Sequence, residues 1–120
     1  MNIDSTKFGR QVLIALAIGC LQLSCVQSKD IRLEWDHDGT CQTEYQECPT
    51  SYYKIYLSFS GEFDKEKQLV DSTPKNRPEV RFYQLNVPED GLTRYLAVTA
   101  VGENGLESGY SNTVRINLPN

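Results

Sequence analysis

Residues 94–114, RYLAVTAVGENGLESGYSNTV, constrain the fold more than any other stretch of this chain. Leu96, Val98 and Ala100 alternate with their neighbours and so project to one face of a strand. Gly102-Glu103-Asn104-Gly105 then reads as a turn, because glycine and asparagine adopt positive φ at low cost. A run with Ser108 and Ser111 leads into Val114, Ile116 and Leu118, the last alternating set.

Residues 1–25 stand apart. Lys7 and Arg10 precede an apolar run at 12–19 that is followed by small residues and cysteines, the arrangement of an export signal. The run is short of the roughly 20 apolar residues that a membrane-spanning helix needs. The segment resembles a bacterial lipoprotein signal, in which a cysteine becomes the lipidated first residue of the mature chain. That resemblance implies a lipid on Cys20 or Cys25. Ala17-Ile18-Gly19 favours Cys20, whereas the cysteine count favours Cys25. Cys41 and Cys48, with six residues between them in a polar stretch, are expected to pair in an oxidising compartment. Lipidation at Cys25 would then leave no thiol over. An ordinary cleaved signal and a soluble secreted protein is the alternative.

Removing residues 1–19 discards Lys7, Arg10 and Asp4 and takes the net charge from −4 to −5. An acidic domain with scattered basic residues lacks the positive stripe that phosphate neutralisation demands, so nucleic acid is not an expected partner. Setting aside residues 1–25 leaves 95 residues, enough for one core.

Their pattern is all-β. Ile31, Leu33 and Trp35 alternate with Arg32 and Glu34; residues 36–51 read as a polar loop; Tyr53, Ile55 and Leu57 alternate again. A turn at 58–67 precedes a short edge strand at 68–71, which two prolines at 74 and 78 then interrupt. Leu85 belongs to the next strand, and Leu92 is expected to join Leu96, Val98 and Ala100 on an inner face.

Residues 30–118 resemble the fibronectin type III domain. The resemblance rests on Ile31-Arg32-Leu33-Glu34-Trp35, on Tyr53-Lys54-Ile55-Tyr56 and on the closing AVTAVGENGLESGYSNTV with its serines at 108 and 111. It implies a single immunoglobulin-like sandwich of about seven strands, the first short or missing. It also implies a tyrosine corner, yet the inward parity falls on Arg94 and leaves Tyr95 one residue out of phase. Either a bulge near Thr93 turns Tyr95 inward or the corner is absent. If Cys20 is the anchor, Leu21, Leu23 and Cys25 alternate and supply the first strand; anchoring at Cys25 leaves an open sheet edge.

Reaction chemistry is sparse. His37 is the single histidine, and no serine stands out as its nucleophile. Asp36, His37, Asp38, Glu44 and Glu47 match no zinc or EF-hand spacing and read as a solvated loop, so no metal or cofactor is expected. Tyr45, Tyr52, Tyr56, Tyr83 and Tyr110 include candidates for outward rings that stack on sugars or proteins. The expectation is a non-enzymatic binding module, lipid-tethered to the bacterial envelope, meeting an envelope or extracellular protein. Its contact residues are expected at Gly102, Glu103, Asn104, Gly105 and Leu106, with the Cys41 and Cys48 loop at the same end. A glycan-binding accessory, and a small envelope enzyme using the acidic loop, are the alternatives.

Overall fold

Ile31, Leu33 and Trp35 point into a core and their neighbours Arg32 and Glu34 point away from it, as the period-two pattern requires. The structure, a computed structural model, describes residues 2–8, 27–37, 40–42 and 47–120. Among the described residues there are eight strands and no helix: β1 (Asn2–Phe8), β2 (Ser28–Asp36), β3 (Thr40–Gln42), β4 (Glu47–Ser58), β5 (Gln68–Ser72), β6 (Phe82–Pro88), β7 (Thr93–Gly102) and β8 (Val114–Asn117). They form an immunoglobulin-like sandwich. One sheet runs β1-β2-β6; the other runs β4-β7-β8, with β3 and β5 both pairing with β4.

The two sheets bury one cluster between them. Ile3, Ile31, Leu33, Trp35, Leu85 and Val87 come from the first sheet, and Tyr53, Ile55, Leu57, Leu96, Val98, Ala100 and Ile116 from the second. Trp35 meets Tyr53 edge to face at 5.3 Å between ring centroids, a geometry that places one ring's positive edge against the other's negative face. Each fully buried aliphatic side chain contributes about 2 kcal/mol by leaving water.

The serine run has a mechanical reason. β8 pairs with β7 only as far as Leu96, opposite Val114. Beyond that point Ser111 Oγ accepts from Val98 N at 2.9 Å and Ser108 Oγ accepts from Ala100 N at 2.8 Å. Their own amides donate to the Val98 and Ala100 carbonyls. Two serines three residues apart thus satisfy two strand residues two apart, where a backbone ladder would lose register.

Three expectations are corrected. Leu92 is not inward: it is 53% exposed in the turn before β7, where its amide donates to Asp90 Oδ1 at 3.0 Å and Gly91 takes φ +79. Residues 36–51 are not one loop, because β4 already begins at Glu47 and pairs with β3 through Thr40–Pro49, Cys41–Cys48 and Gln42–Glu47. His37 is not free in solvent; it is half-buried, with Nδ1 3.1 Å from the Tyr53 hydroxyl.

The β7–β8 pairing runs through Thr93, Arg94 and Tyr95 without a shift, so Arg94 keeps the inward position and Tyr95 the outward one. The arginine is 8% exposed. Its guanidinium donates two parallel bonds to Asp90, Nη1 to Oδ1 at 2.9 Å and Nη2 to Oδ2 at 2.8 Å. This fork ties the strand to the preceding turn, and of the two alternatives for Tyr95 the inward bulge is not the one found.

The first-strand position is filled by Asn2–Phe8, which pairs antiparallel with β2. Leu21, Leu23 and Cys25, considered above for that position, lie outside the described residues, as do Cys20, Asp38, Glu44 and Tyr45.

Candidate functional site

The outer face of the second sheet carries the described residues richest in polar chemistry. Tyr52, Lys54 and Tyr56 of β4 lie opposite Val101, Thr99 and Ala97 of β7, all on the parity that points away from the core. Glu107, just beyond the turn at 102–105, gathers three of them. Tyr56 Oη donates to Oε2 at 2.6 Å, Thr99 Oγ1 donates to the same oxygen at 2.7 Å, and Lys54 Nζ lies 3.4 Å from Oε1. Burial alone would raise the Glu107 pKa, but the bonds from Tyr56 and Thr99 and the Lys54 charge hold it below the usual carboxylate range. Burial, and then the bond to Glu107, push the Tyr56 hydroxyl well above its ordinary value. At neutral pH the carboxylate is ionised and the phenol protonated, so the network is fixed and not poised for proton transfer.

Beside this network is an open groove. Its floor includes Tyr52 and Lys54, one wall is Lys75 and Asn76, and the other is Glu103 and Gly105. The first wall is held to β4: Arg77 N donates to Ser51 O at 3.1 Å, and Asn76 N donates to Ser51 Oγ at 3.0 Å with Asn76 at φ 62. Lys75 Nζ lies 5.7 Å from the Tyr52 ring centroid. The second wall is held by Glu103 N donating to Pro49 O at 3.0 Å and Gly102 N donating to Leu106 O at 2.8 Å. Gly105, at φ +86 with open space where a Cβ would stand, is glycine for its backbone conformation and not for room.

Of the residues expected to make contacts, Glu103, Asn104 and Gly105 are exposed, Gly102 is buried, and Leu106 packs against the core. The bond from Glu103 to Pro49 sets the β3–β4 hairpin beside this turn, at the same end of the sandwich. Tyr83 is half-buried and donates to Asp71 Oδ2 at 2.9 Å. Tyr110 lies over a second small cluster with Tyr56 and Phe63, its ring centroid 5.3 Å from that of Phe63. Lys67 Nζ bonds the Tyr110 hydroxyl and sits 5.1 Å from the Tyr56 ring centroid. Lys75 and Asn76 were not foreseen; the prolines at 74 and 78 marked that stretch only as a break.

Among the described residues no group of three or more His, Cys, Asp or Glu side chains converges. What the arrangement offers is stacking, hydrogen bonding and one charge of each sign on opposing walls.

No family model matches the chain, and no curated protein matches it. Among solved structures it is similar to the crystal structure of β-1,2-glucanase from Parabacteroides distasonis, at 22% identity and a TM-score of 0.54. The match covers 100% of this chain and 14% of that one. It is a likeness of fold: this chain spans a small part of the enzyme's length.

Proposed function

We propose that this chain is a non-enzymatic binding module of fibronectin type III character, held at the bacterial envelope by a lipid on Cys20 or Cys25, and that it meets a protein partner at the groove between Lys75 and Glu103. The observation that carries this reading is that both walls are pinned to β4 by backbone bonds while the Glu103 tip stays exposed. A preformed surface of that kind binds without a large ordering cost. Cys41 and Cys48 stand directly opposite in the β3–β4 register. Opposed residues in antiparallel pairs have Cα atoms about 4.5–5.5 Å apart, which suits a disulfide. Such a bridge would stiffen the hairpin next to the groove.

A photo-crosslinking residue in place of Glu103, introduced in cells, tests the reading. A discrete protein adduct is the expected result; a folded, membrane-associated protein with no adduct would move the contact elsewhere. The half-buried Tyr52 ring on the groove floor supports a second reading, a glycan ligand. Under that reading affinity electrophoresis would show retardation on a polysaccharide that Tyr52→Ala abolishes.

A further inference from the structure

The strand that completes the first sheet comes from inside the segment read above as an export signal, and it is seated in a formed slot. Ile3 is 2% exposed within the main core and stands opposite Trp35. Its backbone is also held from the far side: Ile3 N donates to Asn112 Oδ1 at 2.7 Å, and Asn112 Nδ2 donates to Ile3 O at 3.3 Å. One side-chain amide thus reads both main-chain groups of an extended segment whatever its sequence.

Two charged residues of β2, Arg32 and Glu34, stand in the register beside this strand. Lys7 occupies the position opposite Arg32, and Asp4 the position opposite Glu34. Like charges directly across an antiparallel pair are unfavourable, and opposite charges there are favourable. The pairing also shifts between Asp4 and Lys7. The slot therefore takes an extended backbone and an aliphatic side chain at the Ile3 position, with Glu34 and Arg32 of β2 at the neighbouring register positions.

We infer that in the processed protein the β2 edge is a strand-accepting site for an extended segment of a partner protein. That segment runs antiparallel to β2, with an aliphatic residue opposite Trp35, a basic residue opposite Glu34 and an acidic residue opposite Arg32. The inference rests on the export reading, since removal of residues 1–19 or 1–24 takes β1 away and opens the edge. Main-chain pairing then supplies affinity, and the Ile3 pocket with the two flanking charges supplies selectivity.

The test uses processed protein purified from the envelope, its N-terminus first read by mass spectrometry. Two peptides are titrated: Asn-Ile-Asp-Ser-Thr-Lys-Phe, and the same peptide with Asp4→Lys and Lys7→Glu. Trp35, the single tryptophan, lies opposite the incoming isoleucine, so its emission reports occupancy directly. The expected result is a saturable emission shift with both peptides, roughly tenfold tighter for the charge-inverted one. Asn112→Ala, a change at an exposed residue, weakens both by about fivefold. A correctly processed protein that gives no shift, or whose mass shows the edge already taken by a second copy, would overturn the inference and leave the export reading standing. An N-terminus that retains residues 2–8 would overturn both.

Discussion

The two sheets of this sandwich are built from similar residues yet differ in depth. In β2 every second residue from Ile31 to Trp35 is buried and the intervening Arg32 and Glu34 are only partly covered. In β7 every residue from Leu96 to Gly102 is buried, because Phe63, Tyr110 and Glu107 overlie Ala97 and Thr99. The first sheet thus has one working face and the second has two. A strand buried on both faces loses the polar alternation that marks a solvated one, and the outer layer laid across it is where the groove is assembled.

If one core joins both sheets, the largest expected effects are equal on the two sides. Leu33→Ala in β2 and Leu96→Ala in β7 each remove a fully buried side chain and are expected to cost about 3 kcal/mol. Urea unfolding followed by tryptophan emission and by far-UV circular dichroism should give one coincident transition for each variant. Separate transitions would mean that the sheets are independent units.

Next in size is the contrast between two arginines. Arg94→Ala is expected to cost about 2 kcal/mol, because the side chain is buried and its fork to Asp90 closes the turn. Arg32→Ala, whose partner Glu34 is exposed to solvent, is expected to cost less than about 0.5 kcal/mol. The same fork predicts a pH dependence. The bonds from Arg94, and then the Leu92 amide, lower the Asp90 pKa to about 2, against roughly 4 in an unfolded chain. Its stabilisation is therefore complete above about pH 4 and is lost as the pH falls toward 2. Glu66, held at about 2 by the Ser60 amide and the Ser58 hydroxyl, acts with the same sign. Denaturation midpoints between pH 7 and pH 2 should fall less steeply in Arg94→Ala than in the parent.

Smaller than the loss of the Arg94 fork are the effects of the two serines. Ser108→Ala and Ser111→Ala are each expected to cost about 1 kcal/mol by leaving a β7 amide without its acceptor. Faster hydrogen exchange at Ala100 and Val98, respectively, would check each one.

The sheet with one face was the easier to read from sequence, since Ile31, Leu33 and Trp35 announce their burial by alternation alone. β4 and β7 were legible on their inner face, through Tyr53, Ile55 and Leu57 and through Leu96, Val98 and Ala100. Their outer layer was not: Phe63 is buried by a loop that folds back from far along the chain, and no local period encodes such a contact. Arg94 was correctly phased, but its partner Asp90 sits in a turn where charge is ordinary. Leu92 misled because it shares the parity of β7 while lying beyond the strand's first pair, Thr93–Asn117. At the groove, Glu103 and Gly105 could be named from turn chemistry, whereas Lys75 and Asn76 reach it only because Ser51 holds their segment.

The pair of bonds joining Ala100 to Ser108 closes the base of the turn that carries Glu103. Within that closure the Gly102–Leu106 bond makes a second one, and the exposed residues 103–105 beyond it can change in length without unzipping the sheet, since each doubling of loop length adds only about 0.6 kcal/mol of closure entropy. Insertions between Asn104 and Gly105 would therefore reshape the tip while leaving the scaffold intact. In evolutionary terms, the serines let a lineage vary the exposed tip without giving up the fold that presents it.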